Sequence, residues 1–159
     1  MNYIQSEFHT SPLPYQTRRL QELLGEIMKC CQDRILLESD KFGLLQAELK
    51  CLTLFDEERY LTVKGISQKM EITKSRVTKI IDGLVHKGLV ERTDDPKDGR
   101  VTLISLTPEG KEKSRQLSLF LLDAHQKVLL QMKPSDRKNV LSALELLRSS
   151  MEVVKADLT

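Results

Sequence analysis

Between Thr73 and Lys87 the chain carries Lys74, Ser75, Arg76, Thr78 and Lys79 among Val77, Ile80, Ile81, Leu84 and Val85. The polar set can do one kind of chemistry, which is to present positive charge and hydrogen-bond donors to a surface rich in acceptors. A forked guanidinium fits the O6/N7 edge of guanine, hydroxyls bond base edges or phosphates, and ammonium groups neutralise phosphate. The apolar set recurs at i, i+3, i+4, i+7 and i+8, the spacing of one buried helical stripe. Thr73 can cap that helix at its start, and Gly88 suits a left-handed stop. The polar side chains gather in the N-terminal half, where the helix dipole is positive. An ordinary amphipathic helix with a solvated basic face has the same pattern, so the neighbouring elements decide.

Upstream, Thr62 can cap a shorter helix in which Ile66 and Met70 share a face. Downstream, Val90 and Arg92, then Val101, Leu103 and Ser105, predict two strands. They are joined by Asp94-Asp95-Pro96-Lys97-Asp98-Gly99-Arg100, where Pro96 and Gly99 supply turn geometry. Lys97 and Arg100 put cations at the tip, and Tyr60-Leu61 can add a short strand to the hairpin. Helix, tight turn, helix and charged hairpin make a winged helix-turn-helix, a mainly α (α+β) fold class. In that frame Ser75, Arg76, Thr78 and Lys79 enter a major groove, with Arg76 the best forked contact to guanine. Thr62, Lys64, Ser67, Lys74, Lys87 and Arg92 are expected on the phosphate backbone, and Lys97 and Arg100 in the flanking minor groove.

The stretches T-K-S-R-V-T-K-I-I-D-G-L-V-H-K-G-L-V-E-R and D-D-P-K-D-G-R-V-T-L-I-S-L-T-P-E-G resemble the MarR (multiple antibiotic resistance regulator) family. The close resemblance covers roughly Leu61 to Gly110. One departure is Gly99, where many members carry arginine, which leaves Arg100 as the groove-reaching residue. The resemblance implies a transcriptional regulator, usually a repressor, that binds a pseudo-palindromic operator in double-stranded DNA as a homodimer. It implies that the wing acids Asp94, Asp95 and Asp98 brace Arg92, Arg100 or Arg76. It further implies a regulatory site for a small aromatic or other ligand where the dimerising helices meet the DNA-binding lobe; Ile27, Cys31, Leu49, Leu52 and Phe120 are its expected lining.

The flanking sequence fits two-fold pairing. Leu20, Leu23, Leu24, Ile27, Met28, Cys31 and Ile35 predict a long helix over Tyr15 to about Leu37. Residues 1–13 read as an irregular arm and Lys41-Phe42-Gly43 as a connection. A second helix, Leu45 to Phe55, should bury Leu45, Leu49, Leu52 and Phe55, with Cys51 near that stripe. Thr107-Pro108-Glu109 starts a helix to about Met132, lined by Leu117, Phe120, Leu121, Ala124, Val128 and Met132. A last helix after Pro134 carries Val140, Leu141, Leu144, Leu147, Met151 and Val154. These terminal stripes exceed what a small winged helix needs, and a second copy is the commonest way to cover them. The expected division is an arm and dimerisation helix over 1–40, the DNA-binding lobe over 41–106, and C-terminal dimerisation helices over 107–159.

Charge agrees with this division. Lys64 to Arg100 holds nine basic and six acidic residues, while the rest of the 159-residue chain is slightly acidic within a net charge of +2. The basic excess sits where phosphate would be met, and its modest size predicts salt-sensitive binding by paired units. The apolar runs are too short to span a membrane, and the N-terminus lacks the pattern of a secretion signal, so a cytoplasmic protein is expected. Scattered His9, His86 and His125, and no C-x-x-C, give no metal or cofactor expectation, and no catalytic motif suggests an enzyme. Two alternatives stand beside the ligand-released repressor. One is a thiol-based redox-sensing repressor using Cys30, Cys31 or Cys51, although peroxide-sensing members keep the reactive cysteine near the start of the first helix. The other is a winged-helix protein-docking module, which would favour an apolar or acidic outer face.

Overall fold

A computed structural model describes residues 12–56 and 58–157; most of the expected N-terminal arm lies outside the described residues. Six helices and three strands follow in order: α1 (Leu13–Phe42), α2 (Gln46–Thr53), β1 (Leu61–Thr62), α3 (Val63–Met70), α4 (Lys74–His86), β2 (Val90–Asp94), β3 (Thr102–Leu106), α5 (Pro108–Leu130) and α6 (Pro134–Asp157). Helix α1 exceeds the expected span at both ends. Pro12 and Pro14 occupy its first turn, where no backbone N–H is needed. Lys41 and Phe42, expected in a connection, continue the helix, and only left-handed Gly43 ends it.

Helix α2 is shorter than expected because Leu45 is its N-cap, and Leu45 is exposed while Leu44 takes the buried place. The winged helix-turn-helix forms as the sequence predicts. Thr62 Oγ1 accepts from Gly65 N–H at 3.0 Å to start α3, and Thr73 Oγ1 accepts from Arg76 N–H at 3.4 Å to start α4. The sheet order is β1-β3-β2, all antiparallel, with Leu61 opposite Ile104 and Arg92 also opposite Ile104 across β2–β3. Leu49, Leu52, Ile66, Val77, Ile81, Leu84, Ile104 and Leu117 form the buried core. Val85, expected in the α4 stripe, is exposed instead.

The wing is stapled to α5. Thr107 Oγ1 donates to Gly88 O at 2.6 Å, its N–H donates to Leu89 O at 3.1 Å, and its hydroxyl accepts from Gly110 N–H at 3.0 Å. Gly110 is required there, because a Cβ would stand 1.8 Å from Leu89 O. Helix α5 therefore leaves the lobe in a fixed direction, and Leu117 and Leu121 carry the lobe's core into it. Lys41 lies 4.1 Å from the Phe120 ring centroid, and Phe42 meets Phe120 edge-on, which ties α1 to α5. Helix α6 buries no residue in the protomer.

Candidate nucleic-acid interface

Val77, Ile81 and Leu84 are fully buried, which fixes the roll of α4 and leaves Lys74, Ser75, Arg76, Thr78 and Lys79 all exposed. The cap links part of this face, since Thr73 Oγ1 and Ser75 Oγ are 3.1 Å apart. Thr78 Oγ1 donates to Lys74 O at 3.0 Å, so its hydroxyl turns acceptor lone pairs outward. A groove presents both donors and acceptors, and this face offers both.

Not every residue expected at phosphate is free to go there. Ser67 Oγ donates its proton to Ile72 O at 2.6 Å and holds the α3–α4 turn, whereas Thr62 Oγ1 accepts at the α3 cap and keeps its O–H for an acceptor such as phosphate. Ser67 therefore shapes the turn, while Thr62 at the end of β1 caps α3 with its donor still free. Lys87, also expected at phosphate, pairs its ammonium with the buried Glu48 carboxylate. Among the described residues, no ion pair holds Lys64, Lys74, Arg76, Lys79 or Lys97. Those five remain available to an anionic surface.

The wing is built from its acids. Asp95 Oδ1 accepts from Lys97 N–H at 2.8 Å, and Asp98 Oδ1 accepts from Arg100 N–H at 3.1 Å and from its Nε at 3.0 Å. These bonds hold the Asp98 carboxyl below its ordinary value. Arg92 is braced by Asp82 of α4 at 2.6 Å, a partner the sequence reading missed; Asp94 makes no such bond. The wing and the recognition helix are thus joined by an ion pair as well as by the core. The Arg100 side chain is 92% exposed despite its clip to Asp98. Arg100→Ala is expected to weaken binding to all duplexes alike and to lower the salt slope by about one unit. Titrating wild type and variant on one duplex at several salt concentrations checks this.

A cavity of about 480 Å³ opens where α1, α2, α4 and α5 meet. Its walls include Glu38, Leu49, Ile80 and Leu117, with Arg34 and Arg76 the cations on α1 and α4. Of the residues expected to line a ligand site, Leu49 borders this cavity and Ile27, Cys31, Leu52 and Phe120 do not. Leu52 faces the lobe's core, Phe120 turns to Phe42 and Lys41, and Ile27 and Cys31 lie on an exposed face of α1. The sequence signal nearest this cavity is Arg34 and Glu38, four apart on one helix face and paired at 2.6 Å beside it.

The cysteines separate. Cys30 and Cys31 are exposed and Cys51 is buried. Burial, reinforced by the nearby Glu48 charge, pushes the Cys51 thiol up to about 12. The thiolate is the nucleophile, so Cys51 should stay unalkylated by iodoacetamide at pH 8 in the folded protein and react on unfolding. Mass mapping of the alkylated sites checks this.

Comparison with known proteins agrees with this architecture. The profile of the MarR family matches residues 44–102. The HTH-type transcriptional regulator PrsX of Escherichia coli is 36% identical over 108 residues, 67% of this chain and 65% of its own length. The crystal structure of YusO from Bacillus subtilis superposes with a TM-score of 0.73 at 26% identity, covering 86% of this chain and 96% of that one. Streptococcus pneumoniae FabT, solved in complex with DNA, shares the fold with a TM-score of 0.73 at 21% identity, over 87% of this chain and 99% of its own. With the lobe's profile, the relatives and the whole-chain fold in agreement, the chain belongs to the MarR family of transcriptional regulators.

Proposed function

We propose that this protein is a cytoplasmic homodimeric repressor that reads a pseudo-palindromic operator and is released by a small ligand. One observation carries the DNA reading. Five short or cationic side chains stand exposed on the N-terminal half of α4, while the opposite face is locked in the core. A docking module would need an apolar or acidic face there. The structure of FabT with DNA supports the same use of the fold.

The terminal helices, residues 13–40 and those beyond 107, supply the second copy's contact in this reading. Leu144 is 50% and Leu146 71% exposed on α6, and Ile27 is 51% exposed on α1. Pairing through these faces sets two α4 helices about one DNA turn, roughly 34 Å, apart. For release, the cavity's apolar walls suit an organic body, and Arg76 and Lys50 suit an anionic group, because Arg34 is already neutralised by Glu38. A ligand that binds better when the α4 helices are wrongly spaced lowers operator affinity by that difference.

The test is selection of bound duplexes from a random pool, followed by titration across salt. The expected result is an inverted-repeat consensus with half-sites one helical turn apart, and affinity that falls steeply with salt. Recovery of no consensus, with binding equal on all duplexes, would overturn the reading. Melting shifts with small aromatic carboxylates test the ligand arm separately.

A further inference from the structure

Glu48 and Lys87 lie outside the groove-facing surface and outside the cavity, and ordinary stability does not account for them. The Glu48 side chain is 3% exposed on α2. Its Oε2 accepts from Leu45 N–H at 2.8 Å, which caps its own helix, and it takes the ammonium of Lys87 at the C-terminal cap of α4. Gly83 of α4 makes room, because a Cβ there would stand 2.5 Å from Glu48 Oε1. Glycine inside a helix is destabilising relative to alanine, so its place here reflects the close approach of the carboxylate.

The pair is half-buried, with Glu48 inside and the Lys87 side chain 35% exposed, and such a pair is seldom a large net source of stability because desolvation of the carboxylate offsets the attraction. It does fix geometry, because the buried Glu48 carboxylate is stranded if the Lys87 ammonium moves away. This pair holds the far end of α4 to the start of α2. The 13-residue helix spans about 18 Å from there to Ser75 and Arg76. A tilt of about 5° about the held end would move the reading tip by roughly 1.5 Å, enough to break a forked contact that tolerates a few tenths of an ångström.

We infer that Glu48 and Lys87 are positioning residues for sequence reading, a latch that sets the angle of α4 in the groove. This rests on α4 being the DNA-reading helix. The latch also gives Lys87 a role other than phosphate contact, and joins α4 to α2, whose opposite face walls the cavity through Leu49 and Lys50.

The experiment uses the full-length protein and a duplex selected by the wild type, against a scrambled duplex of equal length. If the wild type selects nothing, the DNA reading itself fails and the latch is not at issue. Given a selected duplex, Glu48→Gln, Lys87→Met and the double variant are each titrated and melted. Each single variant should lower the ratio of specific to non-specific affinity at least about fivefold, the low end of one lost forked contact. Lys87→Met should leave the salt slope unchanged. The double variant carries no stranded charge, so its melting temperature should rise above that of Lys87→Met while its discrimination stays as low as either single variant's. Discrimination that returns with stability in the double variant would show a merely structural pair. A salt slope lowered by about 0.9 in Lys87→Met would show a phosphate contact instead. Should Lys87→Met fail to fold, Glu48→Gln and the double variant still decide, because wild-type discrimination in both overturns the latch.

Discussion

Arg76→Ala is expected to raise the dissociation constant for the selected operator by about 5- to 150-fold per half-site, with preference relaxed at one base pair. That is the range of about 1–3 kcal/mol for one forked contact to guanine. The expectation comes from position. Arg76 lies in the first turn of α4, its backbone N–H is bound by the Thr73 hydroxyl, and no described acid pairs with its guanidinium. The same side chain also walls the cavity. The substitution therefore separates two uses. Loss of preference without any ligand places Arg76 in the groove. Unchanged affinity and preference, together with a lost response to an aromatic carboxylate, would assign it to the cavity and leave the reading to Ser75, Thr78 and Lys79. Titration on single-base variants of the selected duplex measures the first, and repetition with the carboxylate present measures the second.

The DNA-binding lobe was legible because its signals are local. Thr62, Thr73 and Thr107 each cap the helix that their position predicts, and the spacing of Val77, Ile81 and Leu84 fixes the roll of α4. What failed to show in the sequence depends on partners far along the chain. Glu48 and Lys87 are 39 positions apart, and neither residue type predicts the pairing or the burial of Glu48. Asp82 reads as the polar side of α4 until β2 brings Arg92 to it. The lining of the cavity is hard to read from the sequence for a related reason. A leucine stripe does not say which helix it meets: within the protomer Ile27 and Cys31 stay exposed, while Arg34 and Glu38 pair beside the cavity. Glu71 is a local miss, because it adopts a left-handed φ of 55° in the α3–α4 turn where glycine or asparagine is the usual choice.

The second large effect concerns the helices that this protomer leaves uncovered. Leu144→Glu is expected to convert the protein to monomers at micromolar concentration and to lower operator affinity by on the order of 100-fold or more. Leu144 lies on α6 beside Leu147 and Met151, and that helix buries none of its residues within the chain. Glutamate propagates a helix about as well as leucine, so α6 itself should persist. On a solvent-facing surface the change would cost no more than about 0.5 kcal/mol. At a two-fold interface it appears twice and buries two unpaired carboxylates, each of which costs several kcal/mol. Separated protomers would then hold each half-site alone, without the effective concentration that links the two binding events. Sedimentation equilibrium reads the assembly and duplex titration reads the affinity. A variant that stays dimeric would move the interface away from this face of α6. A monomer that binds the inverted repeat as tightly as the wild type would show that one copy of α4 and its wing suffices.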